Sequence, residues 1–252
     1  ASGGWGGVFA LAQGGGIYNS DDKTMTVFNC TISGNQARSA TDSPVASAFG
    51  GGIYGGADNE VEITNCTIAS NTAGPGQPSG AGGGIYSASS TDNQGPIIKN
   101  TIVVDNIAVD QSFSSSDDDL AQNVQSRGWN LIEVDESASL DVSGNGNTSS
   151  GNLMPNSNAN LAALAGNGGP TQTRALQSGS DAIDVGSNTD IDGNSVTDDQ
   201  RHYYRNDGTN DIGAFEYGGL ATLIPTLGEW GMTALVIIML GLGVWFVYRK
   251  FS

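Results

Sequence analysis

A five-residue phrase recurs along the chain, as Gly14-Gly15-Gly16-Ile17-Tyr18, Gly50-Gly51-Gly52-Ile53-Tyr54 and Gly82-Gly83-Gly84-Ile85-Tyr86, at offsets of 36 and 32 residues. Behind the first two stand Asn29-Cys30-Thr31-Ile32 and Asn65-Cys66-Thr67-Ile68, again 36 apart. Lys99-Asn100-Thr101-Ile102 takes the equivalent place in the third copy. Self-similarity at this period describes a unit that cannot bury its apolar face alone and must stack on its neighbours. The units are short β-branched runs broken by Gly and Asn, without helical spacing. The expected architecture is therefore all-β, a β-solenoid with one coil per unit.

Each coil can be followed residue by residue. The Gly triplet suits a corner where a Cβ would crowd the next coil. Ile17, Ile53 and Ile85 are expected to stack inward, with Tyr18, Tyr54 and Tyr86 alternating outward. Second strands are expected over 24–28 and 61–64. Asn29 and Asn65 then fall at a sharp bend, where Asn tolerates a left-handed backbone and its amide can bond the Asn above. Alternation places Cys30, Cys66, Ile32 and Ile68 inside and Thr31 and Thr67 outside. The stacked cysteines fit either a buried thiol pair or a disulfide. Residues 36–49 and 72–81 are expected as loops protruding from one corner. Residues 96–104 and 129–132 are two degenerate rungs, 114–119 (SSSDDD) read as a solvated loop, and 161–165 as a single helical turn.

The C-terminus has a different character. From Met232 to Tyr248 there are 17 consecutive uncharged residues, closed by Arg249-Lys250. That pattern fits one hydrophobic α-helix at the lower limit for crossing a bilayer, with its basic end cytoplasmic. Ahead of it stand Ile224, Pro225, Thr226, Leu227, Glu229 and Trp230. This arrangement resembles the IPTL-CTERM sorting signal of Gram-negative bacteria, with Gly228 where the family usually has Ser. The resemblance implies export, a tail first held in the inner membrane, handling by a membrane-embedded sorting transpeptidase, and delivery to the outer cell surface or extracellular matrix. A start at Ala1 without Met suits a mature product or a fragment.

A second set of motifs spans 160–217. It comprises Leu161-Ala162-Ala163-Leu164, Asn167-Gly168-Gly169-Pro170-Thr171-Gln172-Thr173, Ala182-Ile183-Asp184, Asp199-Gln200-Arg201 and Asp211-Ile212-Gly213-Ala214-Phe215-Glu216. Together these resemble the C-terminal end of choice-of-anchor Q proteins, departing at Arg174, where His is common, and Asp181, where Pro is common. The resemblance implies a right-handed parallel β-helix on a bacterial surface. The expected organisation is β-helix coils over 1–135, C-terminal coils and an end cap over 136–219, and the tail over 220–252.

Function is constrained mainly by exclusion. Net charge is −17 with only nine Lys and Arg, scattered, so nucleic acid is a poor partner. No carboxylate recurs at a fixed coil position, and the single histidine, His202, has no nucleophile signature around it. No catalytic residue is therefore assigned. Asp190, Asp192 and Asn194 around Gly193 are open to two readings, a calcium-binding turn or a solvated acidic turn. The Tyr series suits either cross-coil stacking or sugar binding. The first expectation is a non-enzymatic surface protein, a filament subunit or adhesin, associating with copies of itself through Trp5, Val8 and Phe9 and through tail residues Leu235, Ile238, Leu242 and Trp245. A carbohydrate-binding module is the second, and a β-helix polysaccharide lyase or hydrolase the third.

Overall fold

A computed structural model describes residues 9–20, 24–39, 45–56, 61–74, 78–89, 94–109, 115–133, 140–143, 148–153, 157–205, 208–221, 233, 237–240 and 245. Its strands fall mainly into five stacked sheets. The first contains Phe9–Gln13, Val45–Phe49 and Pro78–Ala81; the second, Ile17–Asn19, Ile53–Gly55, Ile85–Ser87 and Leu120–Ala121. The third contains Met25–Phe28, Val61–Thr64, Ile97–Lys99, Val124–Ser126 and Leu140–Asp141; the fourth, Thr31–Ser33, Thr67–Ala69, Ile102–Val104 and Leu131–Ile132. The fifth contains Gln36–Ala37, Thr72–Ala73, Ile107–Val109 and Ser115–Asp117. Apart from Ser115–Asp117, each of these strands pairs with its counterpart one repeat away rather than with its sequence neighbour. All these pairings are parallel except the last, where Ser115–Asp117 turns antiparallel on Ile107–Val109. Parallel strands stacked in this order are compatible with a β-helix.

Register follows the repeat. Ile17 pairs Ile53, Ile53 pairs Ile85, and Ile85 pairs Leu120; the last three are buried in one apolar column. Ile32, Ile68, Val103 and Ile132 form a second column and Val27, Ile63 and Ile98 a third, all in the same core cluster. At the glycine corner, the N–H groups of Gly50 and Gly51 donate to the carbonyls of Ala81 and Gly82, so the ladder continues through the bend. A Cβ on Gly51 would run into the Gly83 carbonyl and the Thr72 backbone, which is why only glycine serves there.

Several local expectations differ from the structure. Residues 36–49 and 72–81 supply strands of the fifth and first sheets rather than loops alone. Ala37, Ala73 and Ala108 stack buried in the fifth sheet, and such small residues look like loop on propensity alone. The segment read as a solvated SSSDDD loop forms a fourth corner, with Asp117-Asp118-Asp119-Leu120 standing where Gly-Gly-Gly-Ile stood before, and Asp119 is buried. Residues 161–165 make antiparallel bridges to 173 and 176 instead of a helical turn. Ile102 pairs Thr67 rather than Ile68, so it faces out of the stack, where a second apolar cluster covers it.

That second cluster explains the C-terminal motifs. Ile102, Val104 and Leu131 pack against Ala159, Leu176, Ala182, Ile212 and Phe215. Within the segment 136–219, expected as C-terminal coils and an end cap, the contacts of 157–219 run along the side of the stack. They reach Asn29 and Thr31 in the first repeat, Thr67 and Ser70 in the second, and Asn100 in the third. Arg201 and Arg205, which in sequence look like a charged loop, are buried. Arg201 pairs Asp199 at 2.6 Å and lies 3.6 Å over the Phe215 ring, while Arg205 pairs Glu216 at 2.8 Å. Asp199 lies two residues before Arg201, whereas Glu216 reaches Arg205 from eleven residues further on, so only the first pair is visible to a local reading.

Residues 221–252 form a separate compact unit. Positions 233, 237–240 and 245 are helical, and Ile238 and Trp245 are exposed. Among the described residues, no helix is long and apolar enough to cross a membrane.

Candidate functional site

The bend residues of the stack decide where a site can form. Asn29, Asn65, Asn100 and Trp129 occupy one column, each with positive φ between 49° and 55°. The fourth bend residue is thus Trp129, and Asn130 falls one place later. The left-handed bend turns Asn29 and Asn100 out of the stack toward the C-terminal cover, while Trp129 lies against Gly151 with Lys99 over its ring. They do not bond one another as expected: Asn29 Nδ2 donates to the Asp198 carbonyl at 2.8 Å and Asn100 Nδ2 to the Asp211 carbonyl at 2.9 Å. The amide ladder lies elsewhere, at Asn35, Asn71 and Asn106. Asn35 donates to Asn71 Oδ1, Asn71 to Asn106 Oδ1, and Asn106 to Asp119 Oδ1, at 2.8–3.0 Å. The sequence carries this signal as Asn-x-Ala at 35–37, 71–73 and 106–108.

Where the cover meets the first repeat, a cavity of about 410 Å³ opens, lined by Phe28, Asn29, residues 195–200 and His202. Phe28 ends a third-sheet strand and is exposed. Three bonds hold Gln200 in the wall: Thr31 Oγ1 donates to its Oε1 at 2.6 Å, and its Nε2 donates to Thr171 Oγ1 at 2.9 Å and to the Gln172 carbonyl at 3.2 Å. Asp199 accepts from the backbone N–H groups of Arg201, Tyr203 and Glu216 and from Arg201 Nε, so it is a structural acceptor rather than a free base. In contrast, Asn29 Oδ1 and Asp198 Oδ1 are shielded from water without a hydrogen-bond partner, as are both amide atoms of Asn65 one repeat further on. Four unpartnered polar atoms along one seam are costly unless something meets them. The arrangement can bind a donor-rich molecule.

The acidic turn sits beside this cavity without being brought into it. Asp190 Oδ1 accepts the Asn194 N–H at 2.8 Å and Oδ2 accepts Asn194 Nδ2 at 3.0 Å. Burial pushes the Asp190 carboxyl up, but the hydrogen bonds from Asn194, Asp192 and Gly193 outweigh it and hold it below its ordinary value. Asp192 is exposed. Among the described residues, no three His, Cys, Asp or Glu side chains are grouped to hold a metal ion. Lys99 Nζ donates to Thr189 Oγ1 and the Asp190 carbonyl, tying the turn to the stack.

The tyrosines stack on each other. Tyr18–Tyr54 and Tyr54–Tyr86 centroids lie 5.3 and 5.5 Å apart, at 19° and 12°. Their faces are therefore largely occupied, and Tyr54 is buried. Cys30 and Cys66 are free thiols. The hydrogen bond from Cys66 lowers the Cys30 thiol to about 7, whereas burial pushes Cys66 well above its ordinary value. Trp5, Val8, Leu235, Leu242 and the sorting residues Ile224, Pro225, Thr226, Leu227, Glu229 and Trp230 lie outside the described residues; Phe9 is placed in a strand by its backbone.

No family model matches the chain, and no curated protein or solved structure matches it at a significant level.

Proposed function

We propose that this is a non-catalytic structural protein of the bacterial surface or extracellular matrix, a right-handed parallel β-helix whose first coil docks on further copies of itself. The carrying observation is the first repeat. Among the described residues its five strands have no partner on their outer edges, and Leu11 and Tyr18 on it are 60% and 53% exposed. Unpaired strand edges beside apolar side chains are a template for pairing with another chain. The choice-of-anchor Q and IPTL-CTERM resemblances supply the location: export, then a tail that addresses or anchors the product through a membrane or a sorting transpeptidase. Tail residues Ile238 and Trp245 are exposed apolar groups that need lipid or protein to cover them.

Sedimentation and electron microscopy of the full chain test this reading. Assemblies should form, and Leu11→Lys with Tyr18→Lys should disperse them by charging the edge. Truncation after Gly219 separates the two roles: persistence of the same assemblies makes the tail an address only. A full chain that is monomeric in detergent and without filaments in its source overturns self-assembly in favour of an anchored adhesin.

A further inference from the structure

We propose that the cavity between the first repeat and the C-terminal cover binds one ring of a neutral saccharide. The inference is independent of self-assembly, since the cavity belongs to a single chain. A sugar ring presents several hydroxyl donors on its rim and a patch of C–H groups on one face. The cavity offers the complement. Asn29 Oδ1 and Asp198 Oδ1 are acceptors without a donor, Ser195 and Thr197 add hydroxyls at the mouth, and Phe28 is 41% exposed in the wall. Both orphan oxygens are shielded where they stand and sit on side chains whose terminal torsion is soft, so each reaches a bound hydroxyl by a rotation, which for Asn29 also loosens the bond from its Nδ2 to the Asp198 carbonyl.

Charge selects within the class. Asp198 lies in the wall of a chain of net charge −17, which disfavours uronates and sulfated sugars. Volume agrees, since about 410 Å³ falls within the range of small-molecule sites, roughly 300–1,000 Å³. The inner stacked tyrosines are covered by their neighbours, and the exposed Tyr18 is not among the residues that line the cavity.

Saturation-transfer NMR on the full chain, with glucose, galactose, mannose, N-acetylglucosamine and galacturonate each at about 20 mM, tests the proposal at the affinity a single ring allows. At least one neutral sugar should receive transfer through its ring protons. Phe28→Ala, at an exposed position, should weaken it about tenfold with the thermal midpoint unchanged, and Asp198→Ala should do the same. Absence of transfer to any neutral sugar overturns the assignment. So does transfer that survives both variants undiminished, or galacturonate binding as well as galactose.

Discussion

Asn106 donates both its backbone N–H and its side-chain Nδ2 to Oδ1 of Asp119, at 3.1 and 2.8 Å, and so closes a ladder that begins at Asn35. Each ladder residue satisfies backbone groups that the corner leaves over. Asn71 is the middle rung, fully buried, donating to the Ile32 carbonyl and to Asn106 while accepting from Asn35. Asn71→Ala should cost about 2–4 kcal/mol, because several buried groups lose their partners at once. Asn71→Asp should cost more at neutral pH, since it sets a carboxylate against the Asn106 and Ile32 oxygens. Denaturant midpoints at constant m measure both.

The ladder also shows what the sequence made legible. The repeated Gly-Gly-Gly-Ile-Tyr announced a stack, and Ile53 and Ile85 do lie in register and buried, because period-two alternation beside an obligatory glycine leaves few alternatives. Asn35, Asn71 and Asn106 recur as regularly, but their surroundings are small and polar and resemble loops. At the fourth corner Asp118 and Asp119 replace glycines, so the repeat is hidden by chemistry although the backbone path persists. The cavity was not legible at all. Phe28 and Asn29 are separated from Asp198 by most of the chain, and only the lateral docking of the cover joins them.

Stability should fall as pH rises through the range where Asp118 ionises. Burial pushes its carboxyl up to about 6, against the smaller pull of the Gly82 N–H. The folded state therefore holds this proton more tightly than the unfolded chain does. The stabilisation is complete below the ordinary carboxyl range of about 4 and is lost as pH passes about 6. Asp118→Asn should flatten the thermal midpoint between pH 4 and 7. Asp211, raised to about 6 mainly by burial, accounts for slope that remains. An unchanged profile in Asp118→Asn would remove Asp118 from the account.

Alkylation should distinguish the two thiols. Cys30 is half-buried with its pKa near 7, and Cys66 is fully buried with its thiol held protonated. Iodoacetamide should modify Cys30 in the native protein with a midpoint near pH 7 and spare Cys66 until unfolding. Cys66→Ala removes the hydrogen bond that favours the Cys30 thiolate, so the midpoint should move up. Peptide mass spectrometry across a pH series reads both, and equal labelling of the two cysteines would refute the assignment.

Gly213 is one point where the cover closely approaches the stack. Its φ is +101°, its N–H donates to the Asn100 carbonyl at 3.0 Å, and a Cβ would lie 2.7 Å from Ile102 Cδ1 and 2.9 Å from Thr67 Oγ1. Alanine there meets two penalties together, a left-handed backbone and a clash with a fully buried isoleucine. Gly213→Ala should destabilise by about 2–4 kcal/mol, and the loss should fall on the docking of 157–219 rather than on the sheets. Hydrogen exchange separates these effects. Amides of Ile212 and Ala214, which bond Ala182 and Thr67, should lose protection, while those of Ile53 and Ile85 in the stacked core keep theirs. Uniform loss of protection would mean that cover and stack unfold as one unit. The gap between the two sets of amides measures how far the cavity wall can open without melting the sheets behind it.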